Sequence, residues 1–308
     1  MERTTAGWGS GLLGVIIFSG SLPATRLAVA DFSPMFLTSA RAAIAALLGA
    51  AFLLVLRQKR PARSDVFPLA IVALGVVVGF PLLTALALQH ITAAHSIVFI
   101  GLLPLATAIF GVLRGGERPK PAFWLFSILG ASTVAGFALS TSSGGSLVSD
   151  LLMIAAILLC GLGYAEGAAL SRRLGGWQVI SWALLLALPI MVVITFVTRP
   201  SGWDGIGAPA WIGLAYVSIF SMLLGFVFWY RGLALGGIAG VGQLQLLQPF
   251  FGLILAAVLL HEPIIWTMIA STIIVVFCVA GAKRFAGPPP SSSTLAPSNE
   301  MSPKDSLA

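Results

Sequence analysis

Leu86-Ala87-Leu88, Ile91, Pro104 and Glu117 are echoed later in the chain by Leu233-Ala234-Leu235, Ile238, Pro249 and Glu262, so one pattern is written twice. The interval from Pro104 to Glu117 equals that from Pro249 to Glu262, and the two prolines lie nearly half a chain apart in a protein of 308 residues. The interval from Ile91 to Pro104 exceeds that from Ile238 to Pro249 by two positions, the kind of slip that a changed interhelical turn produces. The meaning of such a duplication depends on the solvent. With 58% hydrophobic residues, 9% charged residues and a mean hydropathy of +1.02, there are too few charges to cover a globule in water. The chain reads as an integral membrane protein, and a duplication inside one points to a transporter working on both sides of the bilayer.

A helix needs about 20 apolar residues to cross the hydrocarbon core. Uncharged runs of that order cover residues 7–25, 121–149, 174–198, 205–230, 232–260 and 263–282. A longer run, 66–113, splits at Gln89-His90-Ile91-Thr92 into two spans, while 34–56 and 151–170 each carry one ionisable group, Arg41 and Glu166. The expected fold is an all-α polytopic membrane protein of ten transmembrane helices. The runs lack the strict alternation of barrel strands. Glycines such as Gly161 and Gly163 suit close helix packing.

Fourteen of the 17 Lys and Arg fall on one side of these spans, among them Arg57, Lys59, Arg60, Arg63, Arg114, Arg172, Arg173, Lys283 and Arg284. That side is predicted to be cytoplasmic, with both termini there, in the inner (plasma) membrane. It accounts for the net charge of +7 without nucleic acid, since no interleaved aromatic and basic surface module is present. Ten helices divide into five and five near the Ser/Gly-rich stretch 141–149. The expected units are residues 1–145 and 146–284, followed by a disordered cytoplasmic tail, 285–308. An odd number of helices inverts the second unit relative to the first, which sends Glu117 to a cytoplasmic loop and Glu262 to an external one, each capping the helix that follows. Ala28-Val29-Ala30 looks like a cleavage site, but the basic region before it is only Arg3, and the repeat needs a first helix; the segment is read as uncleaved.

Arg41 after Pro34, Pro104 with Glu117-Arg118-Pro119, and Pro249 with Glu262-Pro263 resemble the EamA-type members of the drug/metabolite transporter superfamily over about residues 7–284. The resemblance implies two tandem five-helix units and transport of a small organic solute, often export. Aromatic amino-acid exporters of the YddG type are one neighbouring group. The second half has no intramembrane Arg to match Arg41.

Ionisable groups in a bilayer need a partner, water or a function. Arg41, seven residues past Pro34 and so about 10 Å into its helix, either attracts an anionic solute or clamps helix ends or Asp31. Glu166, near the end of helix six, is either an ion-paired carboxylate, with Arg173 in reach, or a protonatable group coupling proton and solute movement. On helix nine Gln245 and Gln248 share a face while Gln243 points away, so the pair either lines a cavity or serves as interhelical glue. Pro104 and Pro249 are expected to kink helices or free a solute-facing carbonyl. Phe80, Phe99, Tyr164, Trp182 and Trp229 are candidates to wall the cavity, against plain packing or interfacial anchoring. His90 and His95 are five apart, a poor metal pair, and no metal or other cofactor is expected. The two cysteines, Cys160 and Cys278, lie in spans and suggest packing.

Three function classes follow. The first is a secondary transporter moving an amino acid or related zwitterion or anion by alternating access, with a multidrug or nucleoside-type efflux carrier as the alternative. An intramembrane enzyme is weakly supported, because His261-Glu262 lacks the second His of a zinc protease helix. A channel should show rings of charge or a filter loop. There is no GxxxxGK[ST] loop, so the partners expected are the lipid bilayer, the solute and a proton or solute gradient; the oligomeric state is not written in the chain.

Overall fold

The computed structural model describes residues 2–91, 99–141, 147–248, 250–252, 254–255 and 266–287. The expectations for His95, Pro249, His261, Glu262 and Pro263, for connector residues 142–146 and for tail residues 288–308 fall outside them. The described residues are helical, with no strand among them. We number the helices in chain order: α1 Thr4–Val29, α2 Pro34–Val55, α3 Arg63–Ala87, α4 Leu103–Gly115 and α5 Pro121–Thr141 form the first half. In the second half α6 is Leu147–Leu174, α7 Gly176–Val197 and α8 Ala208–Gly236; α9 starts as Ile238–Gly242, and α10 is Trp266–Phe285. Among the described residues α1, α2, α3, α6, α7 and α8 are long and apolar enough to cross a membrane, while α4 and the 121–136 part of α5 are shorter apolar helices.

Local chemistry sets the helix ends. Ser33 opens α2 by accepting the Phe36 amide at 3.2 Å, with Pro34 in the first turn where a missing N–H costs nothing. Pro104 occupies the same kind of position in α4, in the first turn after the break at Gly101-Leu102. Helix α6 begins at Leu147, which takes Ser149 out of the expected connector, and α8 runs through Arg231 to Gly236.

Among the described residues, α1, α3 and α8 depart from regular geometry where the two halves meet. Helix α1 turns at Gly20, between Glu2–Ser19 and Ser21–Val29. In α3, residues Ala73–Gly79 form a π-helical stretch, closed by the Phe80 amide on the Gly75 carbonyl. In α8, Val217–Leu224 do the same, with the Gly225 amide on Phe220. The two stretches begin at Ala73 and Val217, a separation one position short of that between Pro104 and Pro249 in the sequence repeat. Pro81 follows the first and has no N–H to give one turn back, which favours the wider winding there. The second has no proline nearby, and we have no physical account of it.

The halves interdigitate. Helix α1 packs on α8, α2 on α7, α3 and α4 on α6, and α5 on α10. One apolar core runs through both halves, from Val15 and Val76 to Tyr164, Trp229 and Leu246. Glycines permit the closest approaches: a Cβ at Gly161 would meet the Ala106–Thr107 backbone of α4, and one at Gly163 would meet Gly75 and Val76 in the π stretch of α3.

Candidate functional site

The cationic helix ends gather at one end of the bundle, where three acidic residues of different origin are held. Glu117, in the turn after α4, does not cap α5 as expected. Its carboxylate accepts the backbone amides of Ile238 and Ala239, each at 2.6 Å, and so caps α9 of the other half. Gly237, at φ +94°, turns the chain so that these amides face it. Arg172 of α6 adds a 3.1 Å contact to the same carboxylate. Burial pushes the Glu117 carboxyl up, against the downward pull of the two amides and Arg172. Glu166 is buried and paired with Arg114 of α4, not with Arg173. Arg173 reaches instead to Asp65 at 2.5 Å, and Asp65 also accepts the Ala62 amide at 3.0 Å to cap α3. Each pair therefore joins the first half to α6.

Nearer the opposite end lies a cavity of about 50 Å³, enclosed by residues of both halves. Its polar lining is Arg41, Ser21, Thr25, Thr84, Ser221 and Gln248. Three of these positions place it along the bundle: Arg41 is seven residues past the start of α2, Thr25 four before the end of α1, and Thr84 three before the end of α3. Phe18, Phe80, Phe226 and Tyr164 supply aromatic walls. Both π-helical stretches reach it, through Val76 and Ser221, whose separation along the chain equals that of Pro104 and Pro249.

Arg41 is only 7% exposed. Its Nη2 donates to Ser221 Oγ at 3.2 Å, Ser21 Oγ donates to the same oxygen at 2.8 Å, and Arg41 Nε has no partner. One proton suffices for the Ser21–Ser221 bond, so the pair keeps a second hydroxyl proton to give. Thr84 Oγ1 is likewise buried and unpartnered. The turn at Gly20 frees carbonyls that the second half takes up: Tyr216 donates its hydroxyl to Ile17 O at 2.7 Å, and Gln248 its Nε2 to Phe18 O at 3.4 Å. Asp31, the alternative anchor for Arg41, accepts the Gly207 amide at 2.9 Å instead.

The structure brings Arg41, Phe80, Tyr164 and Gln248 together and separates the other candidates from them. Gln243–Leu247 wind as a 3-10 helix, and Gln245 lies fully buried behind Tyr164, donating to its hydroxyl at 3.3 Å. Trp229 is also behind the wall, its ring 5.4 Å from that of Tyr164 and 6.2 Å from Phe18. Trp182 packs against the core without reaching the cavity. Phe99 belongs to a separate apolar groove of about 230 Å³ between α4 and α6. Glu166 sits two residues after Tyr164, about 200° around α6, and faces the basic end. His90 is exposed. Ser21, Thr25, Thr84, Ser221, Phe18 and Phe226 were not anticipated; the only available signal was the four-residue spacing of Ser21 and Thr25 on one helical face.

A family model described as the EamA-like transporter family matches residues 6–139 and again 147–282. The chain belongs to that family. Among curated members, an uncharacterized transporter of Bacillus subtilis, YdeK, is 66% identical over 286 residues, covering 93% of this EamA-like chain and all of the relative. An uncharacterized transporter of Synechocystis, sll0355, is 22% identical, covering 85% of the EamA-like chain and 86% of its own. A protein of known crystal structure superposes with a TM-score of 0.75 at 18% identity, covering 92% of this chain and 98% of that one, a likeness of fold. The two family matches fall on the two halves whose helices interdigitate around Arg41.

Proposed function

We propose that this EamA-like protein is a secondary transporter of the inner (plasma) membrane that moves a small organic metabolite, an amino acid or related zwitterion or anion, out of the cell by alternating access. In this reading the ten helices are ten spans in two inverted units, residues 1–145 and 146–284. The tail, 285–308, is cytoplasmic, as are both termini and the basic end. The packing supports a two-fold relation between the units: exchanging the halves turns the α1–α8 contact into α6–α3 and returns α2–α7 and α5–α10 to themselves.

The observation that carries the reading is the cavity. A buried Arg41 from the first half meets Ser221 from the second at matched π-helical stretches, in an apolar aromatic enclosure. A packing defect would not place a guanidinium there, because an ion out of water costs several kcal/mol. With only about 50 Å³ free, the cavity is contracted, and solute entry must move the halves apart. The ion pairs at the basic end hold the cytoplasmic side together in this conformation, while the polar lining lies toward the outer side. Flux of labelled solutes into proteoliposomes made with the purified chain tests the reading. Saturable, protein-dependent flux with counterflow is expected, while non-saturating flux would make the protein a channel and absence of flux across a broad metabolite panel would overturn it.

A further inference from the structure

The net charge of the solute is written into the cavity. Among the described residues none that lines the cavity is acidic, and Arg41 forms no ion pair. Elsewhere in the bundle carboxylates do find arginines: Asp65, Glu117 and Glu166 each hold one. The unpartnered groups at the cavity are both able to donate, Arg41 Nε and Thr84 Oγ1, and the Ser21–Ser221 pair has a hydroxyl proton to spare. An ammonium group would find only hydroxyl and amide oxygens there, next to a fixed positive charge.

We infer that the cavity takes an organic monoanion with an apolar body, and that this anion is the missing counter-charge of Arg41, so the protein exchanges anion for anion. The inference rests on the transporter reading above and narrows its zwitterion-or-anion solute. To change sides, the protein must close around Arg41. Closed and empty, the guanidinium is sealed in a medium of low dielectric without a counter-ion, which is costly. Closed around an anion, it is neutralised and the two orphan donors are filled. The loaded form therefore reorients faster than the empty one. A tenfold difference in rate requires only about 1.4 kcal/mol of that relief.

The test uses one phenyl body with three charges: 2-phenylethanesulfonate and 3-phenylpropanoate as anions, phenylalanine as zwitterion and phenethylamine as cation. Binding to the purified full chain is read by thermal stabilisation, since a ligand for the folded state raises its unfolding midpoint. The expected order is anions above zwitterion above cation. A cation or zwitterion that stabilises as well as the anions overturns the inference. Flux is then followed with labelled 2-phenylethanesulfonate, which is permanently charged. Proteoliposomes preloaded with the unlabelled sulfonate should take it up about tenfold faster than empty ones; equal rates overturn exchange. In Arg41→Gln that preference should vanish, whereas Arg41→Lys should keep part of it. The binding series needs no variant, so a misfolded Arg41→Gln does not remove the test. Saturable flux of the zwitterion or cation but not of the sulfonate would leave the transporter reading standing and sink only the anion inference. Binding in the expected order without flux of any solute would sink the transporter reading itself.

Discussion

The basic end and the cavity use the same residue types in opposite ways. At the basic end Asp65, Glu117 and Glu166 each hold an arginine, and two of the three also cap a helix. In the cavity a more deeply buried arginine, Arg41, has a hydroxyl partner and, among the described residues, no carboxylate. A membrane protein can satisfy a buried charge with another residue, which fixes two helices together, or leave it short, which reserves it for something that comes and goes. In the proposed reading the first arrangement joins helices and the second receives the solute.

Substitutions at the two regions should therefore have opposite signs. Glu117→Ala leaves two amides and Arg172 unanswered, and should lower stability by about 3–5 kcal/mol, read as a large fall in the unfolding midpoint in detergent. An unchanged midpoint would remove Glu117 from the joint between the halves. Arg41→Met should do the reverse, holding stability or raising it by up to about 1–4 kcal/mol, read as an unchanged or higher midpoint, because an uncompensated charge is replaced by an apolar side chain, while solute binding is lost. A fall comparable to that of Glu117→Ala would place Arg41 among the structural ion pairs and erase the contrast.

Smaller effects sharpen it. Phe80→Ala should weaken anion binding by roughly tenfold, from about 1.5 kcal/mol of lost apolar contact, whereas Trp182→Phe, outside the cavity, should leave affinity unchanged; equal losses would mean that the wall has been misassigned. Asp65→Ala should cost about 1 kcal/mol, mostly from the helix cap, because Arg173 is 59% exposed and solvent screens the pair. Glu166→Gln is expected to be the mildest, since its partner Arg114 is 46% exposed. Its flux should respond to a pH gradient as wild type does, and loss of that response would restore Glu166 as a proton carrier.

Much of the molecule was legible from periodicity and charge. Long uncharged runs mark helices because each backbone N–H must be satisfied within its own segment in lipid, and Arg41 stood out because a lone charge in such a run is costly. The assignment of partners was not legible. Seven-residue spacing pointed from Glu166 to Arg173, yet Arg114, 52 positions earlier, took the carboxylate. Glu117 lies four residues before α5 but caps α9, because the turn after α4 lies against Gly237 once the halves interlock. The π-helical stretches that bring Val76 and Ser221 to the cavity arise inside apolar runs in which nothing but Ser218 and Ser221 of the second is polar.

The duplication Leu86-Ala87-Leu88 to Glu117 and Leu233-Ala234-Leu235 to Glu262, with the hydropathy around it, determined by itself that this is a helical membrane protein built from two copies of one unit. Composition and repeat spacing are properties of the chain before it folds. Tertiary structure alone decided which charges are answered, since that depends on the helices of one half lying between those of the other. It gave Asp65, Glu117 and Glu166 their arginines and left Arg41 facing a cavity with, among the described residues, the Ser221 hydroxyl as its partner.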